Sequence, residues 1–237
     1  MGKGLFIVGT DTDVGKTFVT AGMTYLLRKD SFKAISFKPV QSGGILKNEK
    51  LVPTDVAFVR EIAAINEEDV VMNSYCLREA VSPHIAAEKE NVKIDIQKII
   101  DDYEKLKAVY DYVLVEGAGG VVVPLIRDGY YIYDLIRELD IPAVIVARAG
   151  VGTINHTALT ADFLRRLGVE VRGFIINQYH GSYYEKDNIE VIKKITGLNA
   201  VAIIHKIDLK EEREAVINVR ETFERSLTVE GVLDLFD

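Results

Sequence analysis

Nine residues, Gly9-Thr10-Asp11-Thr12-Asp13-Val14-Gly15-Lys16-Thr17, carry the densest chemistry in the sequence. Glycines let a backbone turn sharply and come close to a ligand, and successive N–H groups then face an anion. A helix starting inside the turn adds about half a positive charge. These are the parts of a phosphate-binding loop. Lys16 is placed to reach the β and γ phosphates of a nucleotide, and the Thr17 hydroxyl to sit on Mg2+. The usual motif has four residues between its glycines and this one has five, so the reading rests on context. A β-rich run ends just before the loop and a helical pattern begins within it.

A nucleotide metal site needs a carboxylate at the end of a neighbouring buried strand, and Tyr112-Val113-Leu114-Val115-Glu116 supplies one, followed by Gly117-Ala118-Gly119-Gly120. Glu116 is the candidate, with three glycines leaving room beside it. Lys38 precedes Pro39 at the end of a second predicted strand, the edge where open sheets bind ligands. There an ammonium could neutralise charge developing in phosphoryl transfer. Asp55 stands in N-cap position before a helical pattern, a place compatible with metal support.

Other residues admit two readings. Gly150-Val151-Gly152-Thr153-Ile154-Asn155 offers free N–H groups for a second anion, or is a plain loop. Asn177 could read a base edge or close a turn. His205-Lys206-Ile207-Asp208 resembles a guanine-reading motif without its asparagine, a match ascribed to chance. His84, His156 and His180 show no ligand spacing. Cys76 reads as a small core residue, and Tyr130, Tyr131 and Tyr133 as core or interface aromatics.

These residues need a scaffold, and the sequence describes one. Short β-branched runs at Leu5 to Val8, Lys33 to Phe37, Tyr112 to Val115, Ala143 to Ala147, Val171 to Ile176 and Ala200 to Ile204 alternate with stretches of helical period. The helices begin with about Lys16 to Lys29. Another has Val56, Val59 and Ile62 at helical spacing after Asp55, and the stripe Ile96, Ile99, Ile100, Tyr103, Leu106 marks a third. A later one places Leu159, Phe163 and Leu167 on one face before Gly168,. Strands separated by helices need crossover connections, so the expected fold is α/β: a doubly wound, mainly parallel sheet covered on both faces. The segment Gln41 to Thr54 is a loop long enough to suspect function. No repeat or linker divides residues 1–237, and a single domain with one large core is expected.

Composition narrows the partners. Twenty-nine basic against thirty-six acidic residues give a net charge of −7, which argues against nucleic acid as a partner and requires any phosphate to be gripped locally. A single cysteine excludes an intramolecular disulfide, and no run of eighteen apolar residues occurs. A cytoplasmic protein without a membrane partner is expected.

Taken together, the loop Gly9 to Thr17, Lys38-Pro-Val-Gln-Ser-Gly43, Thr54-Asp55, Ser82-Pro-His84 and Val115-Glu-Gly-Ala-Gly-Gly120 resemble the dethiobiotin synthase family of P-loop NTPases. The likeness spans residues about 5 to 178, and five residues between the loop glycines is that family's own variant. The resemblance implies an ATP- and Mg2+-dependent homodimeric ligase of biotin synthesis that converts 7,8-diaminononanoate and CO2 to dethiobiotin. It implies that Thr12, Asp13, Val14, Gly15, Lys16, Thr17 and Phe18 hold the triphosphate, with Gly117, Ala118 and Gly119 beside it. Thr17, Asp55 and Glu116 would support the metal, Lys38 with Lys16 would be catalytic, and Ser42 would touch substrate. Gly152, Thr153, Ile154 and Asn155 would receive the substrate's carboxylate tail across the dimer, and Asn177 and Gln178 would read adenine. Where the family commonly has a proline-containing segment, this chain has Ile204-His205-Lys206-Ile207, a departure that bears on selectivity for ATP over other triphosphates. The alternatives are another P-loop ligase or amidase-like domain, and a switch ATPase of the partitioning type. The latter carries an extra lysine near the loop start, where this chain has Asp11. Its basic membrane helix is also unmatched, since Thr228 to Asp237 is acidic,.

Overall fold

The computed structural model describes residues 2–127, 129–207 and 212–237. The chain runs β1 (Lys3–Gly9), α1 (Lys16–Lys29), β2 (Ala34–Gln41), β3 (Ile45–Lys47), β4 (Lys50–Val52), α2 (Thr54–Ala63), α3 (Asp69–Met72), β5 (Asn73–Cys76) and α4 (Pro83–Lys89). It continues through α5 (Ile96–Val109), β6 (Tyr112–Gly120), β7 (Pro124–Ile126), β8 (Tyr130–Tyr131), α6 (Ile132–Leu139), β9 (Ala143–Arg148) and α7 (Thr153–Arg166). The last elements are β10 (Val171–Tyr179), α8 (Tyr183–Thr196), β11 (Ala200–His205), α9 (Glu212–Ser226) and α10 (Val229–Leu233).

Seven strands form one sheet in the order β11-β10-β9-β1-β6-β2-β5, and every pairing in it is parallel. The expected α/β fold is therefore present, with helices flanking the sheet. The central strands read as unbroken apolar runs because both faces are covered: Leu5, Phe6, Ile7, Val113, Leu114, Val115, Val144 and Ile145 are all fully buried,. β1 lies in the middle, so the loop after it opens at the C-terminal edge between β6 and β9. On β2 and β6, Phe37 lies opposite Val115. The next residue on each strand is Lys38 and Glu116, and the register alone makes these two neighbours.

Several elements differ from the sequence reading. β2 continues through Lys38 to Gln41 because β5 pairs with Lys38, Val40 and Gln41. β5 is an edge strand of the sheet, and β2 can extend through Pro39 because Pro39 takes no part in that ladder. The segment Gln41 to Thr54 contains the β3–β4 hairpin rather than a bare loop. α7 buries Thr157, Thr160, Ala161 and Leu164, while Leu159 is 62% exposed and Phe163 is only partly covered. The buried face is mostly small side chains around Leu164, and Leu159 and Phe163 lie off it. Phe163 meets the edge of Tyr133, which stacks on Tyr131. Cys76 is half-buried on the edge strand rather than a core residue, and burial pushes its thiol up to about 11. Asp208 lies outside the described residues. Among the described residues, no helix is long and apolar enough to cross a membrane.

α1 carries the phosphate-loop residues at its start, and α9 fixes it from outside. Phe223 of α9 is fully buried against Gly22, where any side chain would collide with the ring. Its ring centroid is 5.3 Å from that of Phe18. Removing so large a buried ring leaves a cavity, so Phe223→Ala is expected to cost about 3 to 5 kcal/mol of stability. Urea denaturation checks this, and a loss below about 1 kcal/mol would show that α9 is not a support for α1.

Candidate active site

The loop between β1 and α1 takes its shape from two backbone positions. Asp13 and Gly15 have positive φ (57° and 92°), which bends the chain back on itself before α1 begins. Two amides at the tip of β10 hold it there. Asn177 Nδ2 donates to the Val14 carbonyl at 3.0 Å and Gln178 Nε2 to the Asp13 carbonyl at 3.3 Å. Asn177 is buried, and a Cβ on Gly15 would lie 2.0 Å from its Nδ2. The two residues singled out as base readers are thus in contact with the loop itself.

Lys16 folds back beneath the loop and donates to the Asp11 carbonyl at 3.1 Å. Burial, followed by repulsion from Lys38, lowers its pKa to about 8 in spite of Glu116, Asp55 and Asp13 nearby. Thr17 donates its hydroxyl to Glu116 Oε1 at 2.7 Å. Glu116 is 2% exposed, and the same oxygen accepts from Lys38 Nζ at 2.6 Å. Asp55 Oδ2 is 2.7 Å from Lys38 Nζ on another side. Burial alone would favour a neutral Lys38, yet the paired carboxylates outweigh it and hold the ammonium above its ordinary range,. Four residues named from sequence, Thr17, Lys38, Asp55 and Glu116, therefore converge on one point from α1, β2, α2 and β6.

Asp55 is not the N-cap of α2. Pro53 occupies that position without a capping side chain, and Asp55 lies in the first turn. The missing acceptor comes from β2: Gln41 Oε1 accepts from the Asp55 N–H at 3.1 Å, and Gln41 Nε2 donates to Thr54 Oγ1 at 2.8 Å. The sequence reading gave Gln41 no role. Its only signal was the absence of a good cap at Pro53, which calls for an acceptor from elsewhere.

A cleft of about 780 Å3 opens above these groups. Thr12, Asp13, Phe18, Ala118 and Gly119 line its phosphate-loop side, and Ser42, Phe58 and Ser82 its far side. The buried Ser42 Oγ has no hydrogen-bond partner among the described residues. Gly117 contributes a carbonyl 3.4 Å from Lys38 Nζ. The loop Gly150 to Asn155 does not reach this cleft. Thr153 instead lines a second cavity of about 310 Å3 with Arg148, His156, His180 and Tyr184, and Gly152 turns into α7 with φ 91° and no side-chain cap. Val151 at its tip is 96% exposed, while Ile154 packs on the core's margin. His84 is half-buried on α4 and its Nδ1 has no partner among the described residues. His205 meets the ring of Tyr179 edge-on at 5.0 Å.

The tight seat of Gly15 leads to a prediction. A side chain there would suffer the left-handed penalty of about 1 to 2 kcal/mol as well as the collision with Asn177. Gly15→Ala should therefore lower stability by at least that amount in urea denaturation, and an unchanged midpoint would mean that the loop is not held as described.

The chain has relatives among known proteins. A family described as an AAA domain matches residues 3–213. The ATP-dependent dethiobiotin synthetase BioD of Clostridium kluyveri is 41% identical over 237 residues, covering 98% of each chain. Its namesake from Fusobacterium nucleatum is 44% identical over 202 residues, 85% of this chain and 91% of that one. Among solved structures, a ParA family ATPase from Chlorobium tepidum superposes with a TM-score of 0.60 at 12% identity, covering 99% of this chain and 98% of that one. The septum site-determining protein MinD from Pyrococcus horikoshii, complexed with Mg-ADP, gives 0.57 at 18%, covering 99% and 94%. At those identities the structural matches speak for the fold alone. The sequence matches go further: over almost its whole length, this chain belongs to the ATP-dependent dethiobiotin synthetase family of P-loop enzymes.

Proposed function

We propose that the chain uses ATP to carboxylate 7,8-diaminononanoate and close its ring, giving dethiobiotin, ADP and phosphate. The observation that carries this reading is the buried ammonium of Lys38, held between Glu116 and Asp55 next to the phosphate loop. In the proposed reaction, one amine of the diamine takes up CO2 as a carbamate, releasing a proton. A carbamate oxygen then takes the γ phosphoryl group from ATP and ADP leaves. The second amine attacks the carbonyl of the mixed anhydride, the C–O bond to phosphate breaks, and the ring closes. Two anions, carbamate and triphosphate, must be brought together, and this needs fixed positive charge in a site shielded from water. Lys16 and Lys38, each 6% exposed, supply it.

In this reading the backbone of Thr12 to Phe18 cradles the phosphates, Gly117 to Gly119 leave space beside them, and the unpartnered hydroxyl of Ser42 contacts the diamine. Asn177 and Gln178 face adenine while holding the loop. The residues present fit Mg2+, which prefers hard oxygens and keeps waters and phosphate oxygens as its other ligands. Thr17, Asp55 and Glu116 offer an oxygen set of that kind, and the carboxylates already attract a cation, the Lys38 ammonium. Bound there, Mg2+ would neutralise charge on the β and γ phosphates. None of Gly152 to Asn155 lines the cleft of this copy, and Thr153 lines a separate cavity, so the substrate's carboxylate tail is assigned to this loop of a second copy, in a homodimer. The proposed setting is cytoplasmic, without a nucleic-acid or membrane partner, and the net charge of −7 supports the former exclusion.

The test is to incubate the chain with 7,8-diaminononanoate, bicarbonate and Mg-ATP. Diamine-dependent ADP release with a ring-closed product by mass spectrometry is expected, and ADP release indifferent to the diamine would overturn the reading. In the same assay Lys38→Ala should keep nucleotide binding and lose turnover by about 10²- to 10³-fold, the usual cost of one electrostatic donor. Phosphate stabilises the Lys16 ammonium, whose pKa in the free protein is about 8, so nucleotide binding above that pH must take up a proton. ADP affinity should fall as pH rises beyond about 8, with proton uptake visible by calorimetry in buffers of different ionisation enthalpy. A flat affinity from pH 7 to 9.5 without uptake would refute it.

A further inference from the structure

We propose that Gln41 is a positioning residue for the metal site, acting through the first turn of α2. The proposal rests on the reading of Asp55 as a metal support and extends it to a side chain outside the phosphate and metal motifs. Gln41 is 2% exposed, and its own backbone is fixed: it pairs with Cys76 on β5, and its carbonyl accepts from the Leu77 N–H at 2.7 Å. From this base its amide reaches the start of α2, whose N-cap, Pro53, offers no side-chain acceptor. Gln41 Oε1 takes the Asp55 N–H, and Nε2 donates to Thr54 Oγ1. The second bond determines which end of the amide faces the helix.

The consequence lies at the carboxylate. β2 holds Asp55 twice, at its backbone through Gln41 and at its Oδ2 through Lys38. The Asp55 side chain is 34% exposed, so packing alone does not fix it. If a metal ion takes the Asp55 Oδ2 contact, Gln41 still holds the backbone of residue 55. A neutral amide suits the task. It accepts from a helix N-terminus as a carboxylate would, without adding a third negative charge beside Asp55 and Glu116.

Gln41→Met keeps the length of the side chain and removes both hydrogen bonds. Mn2+ binding in the presence of ADP, followed by electron paramagnetic resonance, should weaken by about 10- to 100-fold, the range for loss of a partner that orients a ligand. The apparent KM for Mg2+ should rise in parallel, while kcat at saturating metal stays within a few-fold. A merely structural role would lower the melting temperature and leave the metal dependence alone. Hydrogen exchange at the Asp55 amide should accelerate in Gln41→Met and not in Gln41→Glu, which keeps the acceptor. Thr54→Val removes only the hydroxyl that orients the amide, and tests the same link if Gln41→Met does not fold. Wild-type Mn2+ affinity in a folded Gln41→Met, or unchanged exchange at Asp55, would overturn the proposal. Wild-type Mn2+ affinity in Asp55→Asn would instead bring down the metal reading, with the Asp55 amide exchange still deciding whether Gln41 holds the turn.

Discussion

The site depends on a charge that the interior would ordinarily reject. Lys38 and Glu116 are almost completely buried, where an unpaired charge is costly. Each compensates the other, with Asp55 completing the group and Thr17 adding a hydroxyl. Such an arrangement is seldom a gain in stability, because taking the ions out of water costs several kcal/mol per ion. Its value is geometric. Four elements from distant parts of the chain must come into register for the charges to compensate, so a correctly formed sheet edge and a correctly formed site are one condition.

The way these residues reach each other explains how much was legible beforehand. Lys16, Thr17 and Glu116 belong to local patterns, a loop and a strand end, whose chemistry can be read from neighbours in sequence. The alternation of strands and helices was legible for the same reason. Contacts between elements were not. Gln41 became meaningful only when β2 proved to run past Pro39 to the start of α2, an extension imposed by β5. The short segments β3, β4, β5 and α4 lack the length that periodicity needs. Leu159 misled because α7 turns the neighbouring face of Thr157, Thr160, Ala161 and Leu164 inward instead. Asp55 sits two residues past the N-cap position, which Pro53 occupies.

The likeness to MinD and ParA family structures shows what the scaffold does and does not determine. A central β1 with its loop at the carboxyl edge of a parallel sheet defines where an anion is received. The outcome of the chemistry is decided by side chains that the scaffold merely carries. In this chain that edge carries Asp11 at the loop start, Lys38 on β2 and Gly117, Gly119 and Gly120 after Glu116.

The two amides at the tip of β10 have one more implication. They cross the end of β9 to seize carbonyls of the first loop, so that loop is shaped before anything arrives. A ligand entering such a socket has little chain entropy to quench, and more of its contact energy is left for holding on. The same rigidity joins both ends of a long guest: whatever tugs at the rim beside Asn177 also moves the amides that would meet its tail.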